Sequence, residues 1–72
     1  MDKVKVIFSA EGKGYVDTLK LPAHSIPRVG DKIRIMFRSF FGTVENVEWV
    51  YDASAERADC VHIDVKPDPI NT

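Results

Sequence analysis

The sequence has little of what stabilises a secreted protein or anchors a membrane protein. Its 72 residues include one cysteine, Cys60, so no disulfide can form within the chain. No apolar run approaches the roughly 18 residues that a membrane-spanning helix requires, and the N-terminus lacks the apolar segment of a signal peptide. We therefore expect a single small domain of a cytoplasmic protein, with residues 1–66 as the domain and 67–72 as a tail.

A large excess of one charge is also missing. Ten Lys and Arg residues oppose eleven Asp and Glu residues, which gives a net charge of −1 and disfavours a strongly basic nucleic-acid binder. The charges are nevertheless unevenly distributed along the chain. Residues 1–38 carry eight cations and four acids, whereas residues 39–72 carry two cations and seven acids. We expect the fold to bring these two halves together.

Apolar residues recur at every second position, which is typical of half-buried β-strands. Val4, Val6 and Phe8 form one such row, with Lys3 and Lys5 on the opposite face. No segment has the periodicity of an amphipathic helix. The predicted strands are residues 3–9, 15–21, 32–38, 43–51 and 60–66.

The segments between these strands contain residues that favour turns and loops. Residues 11–14 hold two glycines and predict a tight turn, while two prolines make residues 22–31 the longest loop. Residues 52–59 are polar and rich in alanine, and we favour a loop over a helical turn there. Val44 falls outside the odd-numbered apolar row that follows it, which predicts a β-bulge near residues 45–46.

Five short strands with apolar inner rows must curl to give each row a partner. We therefore predict an all-β fold, a small five-stranded barrel built from a strongly bent antiparallel sheet. The segment 27–33, a strand, then Gly42-Thr43-Val44 and a second strand resembles the Gly-Asp-x-Val to Gly-x-Val hairpin of SH3-like barrels, including the KOW type. The resemblance covers residues 27–52 and implies a fold rather than a function.

The same order of residues is also similar to the plasmid-borne, trimethoprim-insensitive dihydrofolate reductases, which are SH3-like barrels that form a tetramer around one pore. That family has Val-Gln-Ile-Tyr where this chain has Val61-His62-Ile63-Asp64, so the residues that contact ligand there are replaced here. We treat this enzyme activity as a less favoured alternative. No catalytic set and no cofactor site are predicted.

The segment Arg38-Ser39-Phe40-Phe41-Gly42 predicts a surface for binding a partner. Adjacent residues of an extended chain project to opposite sides, so one phenylalanine can join the core while the other stays exposed or covers the barrel mouth. An exposed aromatic beside arginine is typical of a protein interface. Both an interface and a barrel plug remain open at this point. The candidate partner-binding residues are Ile26, Arg28, Met36, Arg38, Phe40 and Phe41.

Pairing Ile33 with Trp49 in an antiparallel register would place Arg34 opposite Glu48 and neutralise part of the basic face. The nucleic-acid alternative uses the cations of that face together with an aromatic for stacking. Its residues are Lys3, Lys5, Lys32, Arg34 and Arg38.

Cys60, His62 and Asp64 alternate along one strand, a spacing that could chelate a metal ion. A structural zinc site requires four ligands, so no metal site is predicted. The favoured function is a small non-catalytic module that binds another protein or a second copy of itself. By analogy with other stand-alone small barrels, an accessory or inhibitor role in a phage or mobile gene cassette is expected.

Overall fold

Five β-strands make up most of the chain. The computed structural model describes residues 3–36 and 40–68. One short 3-10 turn, Ala23–Ser25, follows the second strand, and none of the described residues belong to a helix that could cross a membrane. The strands are β1 (Lys3–Ala10), β2 (Gly14–Pro22), β3 (Lys32–Ile35), β4 (Phe40–Asp52) and β5 (Arg57–Pro67).

The strands form one strongly curled sheet, a half-barrel, in the order β2-β1-β5-β4-β3. This confirms the predicted all-β, five-stranded fold. The prediction that every pair is antiparallel is wrong for β1 and β5, which are parallel. Residues 23–31 carry the chain from one edge strand, β2, to the other, β3, and β5 therefore returns in the direction of β1. Alternation along a strand contains no information about this direction.

The core lies on the concave face, where the predicted apolar rows meet. Val6 is the neighbour of Val61, Phe8 of Ile63 and Ala10 of Val65 across the parallel pair. Each fully buried Val or Ile side chain stabilises the fold by about 1.5–3 kcal/mol. The remaining buried apolar residues are Ile35, Phe40, Val44 and Cys60.

The predicted β-bulge is confirmed, since the register between β4 and β5 shifts between Val44 and Asn46. The extra residue allows both Val44 and Val47 to face the core, although one has an even and the other an odd number. Val44 also fixes the preceding loop in place. Its N–H donates to the Asp31 carbonyl at 2.9 Å, and its carbonyl accepts from the Gly30 N–H at 2.9 Å.

The predicted register between β3 and β4 is wrong. Ile33 lies opposite Gly42 and Arg34 opposite Phe41, whereas Glu48 lies opposite His62 on β5. The physical reason is that β4 begins at Phe40, before the predicted start at residue 43. Pairing Phe40 with Ile35 buries its ring, which a longer loop would leave in solvent.

Both tight connections agree with the sequence. Gly12 and Gly14 have φ angles of 82° and 79° in the β1–β2 turn, a left-handed conformation that favours glycine. The segment after Asp52 is a hairpin loop without a helix, as predicted. At the other end of the hairpin, Asp68 follows β5 and its N–H donates to the Phe41 carbonyl at 3.1 Å.

Candidate functional site

The half-barrel has two ends that expose different side chains. At one end lie the last residue of β1, Ala10, and the first residues of β4. At the other end lie the start of β1, the end of β2 and the β4–β5 hairpin loop, as the pairs Lys3–Pro22 and Asp52–Arg57 show. The predicted phenylalanine pair marks the first end, and Tyr51 marks the second.

The two adjacent phenylalanines have opposite environments, as the sequence predicted. Phe40 is 4% exposed and packs in the core, where the Lys13 Nζ lies 5.7 Å from the centre of its ring. Phe41 is 38% exposed on the convex face. The Arg34 guanidinium lies 5.9 Å from the centre of the Phe41 ring, because the β3–β4 register places these residues opposite each other. Of the pair, Phe41 is the one available to a partner.

Cations surround Phe41 on the same face. Lys32, Thr43 and Lys66 form one row across β3, β4 and β5, next to the Arg34–Phe41 pair. The Lys32 Nζ lies 3.6 Å from an Asp68 carboxylate oxygen, and the Thr43 hydroxyl donates to the other oxygen at 3.5 Å. Asp68 therefore compensates one of the three cations.

Met36 directly follows β3 and is exposed beside Phe41 and its cations. We name these exposed residues together the Phe41 surface. Its residues are Lys32, Arg34, Met36, Phe41 and Lys66. Of the predicted partner-binding residues, Arg38 lies outside the described part of the chain.

Ile26 and Arg28 do not join the Phe41 surface. Ile26 is half-buried against the core, and Arg28 is exposed in the loop that crosses the concave side. Together with Val47 and Trp49 they line a groove of about 310 Å³. The predicted partner-binding residues therefore fall into two groups on different sides of the sheet.

Trp49 and Tyr51 are candidate site residues for which the sequence predicts only a place in the strand 43–51. Their rings stack with centroids 6.4 Å apart and an interplanar angle of 18°. Tyr51 is 68% exposed and Trp49 is partly exposed, so the apolar row of β4 continues beyond the core. The available signal was the position of these large aromatics immediately before a polar hairpin loop, where little chain remains to cover them.

The cations of the nucleic-acid alternative form two separate groups. Lys3 and Lys5 lie on β1, whereas Lys32 and Arg34 lie on β3. Since β5 and β4 stand between them, three strand spacings of about 4.8 Å separate the groups across the sheet. The groups are also offset along the strands, because Lys5 lies beside Cys60 whereas Lys32 lies in the row of Lys66. The intervening strands expose His62 opposite Glu48.

Cys60, His62 and Asp64 also differ in environment. Cys60 is buried, whereas His62 and Asp64 are exposed on the convex face of β5. Within residues 3–36 and 40–68, no three His, Cys, Asp or Glu side chains are grouped so that they could hold a metal ion. Val61 and Ile63, which alternate with these residues, are buried in the core.

The Phe41 surface, the loop groove and the exposed aromatics of β4 are the features from which a function can be argued. Comparison of the chain with protein-family models, with curated proteins and with solved structures gave no match.

Proposed function

We propose that this protein is a small non-catalytic module that binds a partner protein through the Phe41 surface. One observation carries the proposal. Phe41 is exposed on the convex face with the Arg34 guanidinium beside its ring, whereas the adjacent Phe40 is buried. Aromatic and arginine side chains contribute most of the binding energy in many protein interfaces.

The surroundings of Phe41 favour a partner segment with apolar and acidic side chains. Met36 and Phe41 supply apolar area, and Lys32, Arg34 and Lys66 supply positive charge at its border. The adjacent strand β3 is an edge strand in the described part of the sheet. An extended segment could therefore add to β3 by backbone hydrogen bonds while its side chains contact Phe41.

We also propose that the half-barrel is related to the SH3-like barrels. The support is the β3–β4 hairpin, in which Gly30 has a φ angle of 96° before β3 and Gly42 follows the connection to β4. The parallel β1–β5 pair differs from the all-antiparallel sheet expected from this resemblance. The proposal therefore applies to the hairpin and the curled architecture, and the binding function is argued independently of it.

A protein partner is favoured over nucleic acid by the distribution of charge. The two cation groups are separated by His62 and Glu48, and Asp68 compensates Lys32. Nucleic-acid affinity depends on how many phosphates a surface neutralises at once, and neither group offers many cations.

The first experiment replaces the exposed ring without disturbing the core. Phe41→Ser should reduce partner capture at least tenfold in a pull-down from the native host, because it removes the central apolar contact. Tyr15→Ser is the matched control, since Tyr15 is 64% exposed on β2, and β1 and β5 separate β2 from β4. Phe40 is not used, because its substitution would open the core. Equal capture by the wild-type protein and Phe41→Ser, with unchanged circular dichroism, would show that the assigned site is wrong.

The competing functions are tested with the same proteins. A labelled single-stranded oligonucleotide is titrated at low and high salt, and dihydrofolate reduction with NADPH is assayed directly. We expect neither binding nor turnover. Salt-sensitive oligonucleotide binding that Phe41→Ser abolishes would replace the protein partner with nucleic acid. Turnover by the wild-type protein would overturn the non-catalytic assignment.

A further inference from the structure

The loop groove is a second candidate binding site, separate from the Phe41 surface. It lies between the loop that joins β2 to β3 and the side chains of Val47 and Trp49 on β4, and its volume is about 310 Å³. This volume is at the lower limit of the roughly 300–1,000 Å³ that is typical of small-molecule sites. The size of the groove therefore favours a small organic molecule over a folded partner.

The walls of the groove are mostly apolar. Ile26 and Val47 are partly buried against the core, and Trp49 is 36% exposed, so part of its indole ring is accessible from the groove. Pro27 and the exposed Val29 extend the apolar wall on the loop side. A planar apolar molecule that packs against the indole ring would remove these surfaces from water, which favours binding.

One cationic side chain borders these apolar walls. Among the described residues that line the groove, Arg28 supplies the only permanent charge and none is acidic, while His24 adds a ring nitrogen that can form a hydrogen bond. Asp31 does not line this groove, and it borders the adjoining groove together with Lys32. The lining therefore matches a ligand with an apolar body and a single negative charge.

Hydrogen bonds on both sides of the Arg28 backbone fix its position. Its N–H donates to the Asp31 carboxylate at 2.9 Å, and its carbonyl accepts from the Asp31 N–H at 3.0 Å. The Asp31 carbonyl accepts in turn from the Val44 N–H at 2.9 Å, which attaches this turn to β4. Because the backbone that carries the guanidinium is already held in place, less ordering is required when an anion binds.

We propose that the loop groove binds a small aromatic monocarboxylate. The ring of such a ligand lies against Trp49, and its carboxylate accepts hydrogen bonds from the Arg28 guanidinium, whose planar fork matches two carboxylate oxygens. The single negative charge of the ligand balances the single positive charge of the lining. A neutral aromatic molecule would leave the Arg28 charge without a partner, and an inorganic anion would leave the apolar walls in water.

This site does not depend on the proposed protein partner. The Phe41 surface also combines an aromatic ring with a cation, but Phe41 lies on the open convex face, whereas the groove has walls from both the loop and β4. The variants that test the two proposals change different residues. Failure of either proposal therefore leaves the other unaffected.

Two probes that differ by one charge test the groove by NMR titration of the full chain. 2-Naphthoate has a planar ring system and one carboxylate, whereas 2-naphthamide has the same ring system without the charge. Naphthoate should shift the amide signals of Ile26 and Val47 and the side-chain N–H signal of Trp49, the only tryptophan of the chain. Naphthamide should shift the same signals but bind about fivefold more weakly, because it lacks the ion pair with Arg28.

Two variants separate the contribution of the charge from that of the ring. Arg28→Gln should raise the dissociation constant for naphthoate about fivefold, the upper end for an exposed ion pair, and leave that for naphthamide unchanged. Trp49→Leu should weaken both probes by roughly fivefold, because it removes the aromatic wall while it keeps an apolar side chain there. Arg34→Gln is the matched control, since the Arg34 guanidinium lies beside Phe41 on the convex face. It should leave both constants unchanged.

Three results would overturn the proposal. They are an absence of shifts at several millimolar naphthoate, equal affinity for the two probes, and a loss of naphthoate binding in Arg34→Gln instead of Arg28→Gln. The last result would assign the carboxylate to the Phe41 surface. Phe41→Ser, which tests the proposed protein partner, should bind naphthoate as the wild-type protein does.

Discussion

Gly42 is the residue at which β4 lies closest to the backbone of β5. A Cβ atom at this position would overlap the carbonyl oxygen of Lys66 and lie 2.7 Å from Cγ1 of Val65. A flexible side chain can move away from such an overlap, but the backbone of a paired strand cannot do so without disturbing its hydrogen bonds. The glycine in the Gly-x-Val segment is therefore required by the packing of two strands, and its φ angle plays no part.

This close approach predicts the effect of adding one methyl group. Gly42→Ala should lower the free energy of unfolding by about 3 kcal/mol, the upper end of the usual cost of overpacking a core. Gly12→Ala is the control, since a Cβ there meets nothing within 4 Å and costs only the left-handed backbone conformation, about 1 kcal/mol. Urea unfolding measures both values. Equal losses would show that steric overlap at Gly42 is not the cause.

For the two adjacent phenylalanines, the sequence predicts that the side chains face opposite ways but not which of them is buried. Extended geometry required that Phe40 and Phe41 point to opposite sides, and this is confirmed. Which of them is buried depends on the β3–β4 register, in which Phe40 meets the buried Ile35. The sequence left that register undetermined because β3 offers only four residues to pair. The choice between core and surface therefore required the structure.

At the scale of elements, the β4–β5 hairpin is closed by hydrogen bonds to one carboxylate. Asp52 Oδ1 accepts from the Ser54 hydroxyl at 2.6 Å, from the Ser54 N–H at 3.0 Å and from the Ala55 N–H at 3.3 Å. These bonds, led by that from the hydroxyl, hold the pKa of Asp52 below its ordinary value. The charged carboxylate therefore stabilises the loop that supports Trp49 and Tyr51.

The lowered pKa gives a stability that depends on pH. A carboxyl group whose pKa is lower in the folded state stabilises the protein above its unfolded pKa and loses this effect as the pH falls through the folded pKa. Asp52→Asn should therefore be less stable than the wild-type protein near pH 7, and the difference should shrink below about pH 4. Urea unfolding midpoints at several pH values measure the difference. An advantage of the wild-type protein that grows on acidification would contradict this assignment.

The accuracy of the predicted strand bounds depends on what lies at each end of a strand. The bounds of β1 and β2 were predicted to within one residue, because the glycine turn between them marks where they meet. The central strands β4 and β5 begin at Phe40 and Arg57, three residues before their predicted starts. An edge strand can be short, and β3 ends at Ile35, before the predicted end at residue 38.

At the scale of the whole molecule, the sequence determined the composition of the sheet better than its order. Alternation located five strands, and the misplaced Val44 located the bulge. Strand order and direction depend on how residues 23–31 cross the concave side, and the loop composition does not encode that path. The exposed rings of Phe41 and Tyr51 lie at opposite ends of the half-barrel because they stand near opposite ends of the same long strand, β4. Ten strand residues at about 3.3 Å each separate them by about 33 Å.

The parallel pair in the centre of the sheet joins strands that are far apart in the chain. Lys5 of β1 is the neighbour of Cys60 of β5, 55 positions later. During synthesis, β1 therefore remains unpaired on the side that β5 will occupy until β5 has been made. Closing so long a loop is slow compared with forming the three antiparallel pairs between consecutive strands.

A fragment of residues 1–52 reproduces this incomplete state. It should lack the protease resistance and the dispersed amide NMR spectrum of the full chain, because Val6 and Phe8 have lost Val61 and Ile63. A fragment as resistant as the full chain would show that β5 is dispensable. Folding is thus expected to be completed only after β5 has left the ribosome. Until then the chain avoids aggregation only if chaperones cover its apolar row or if the remaining residues are made and folded rapidly.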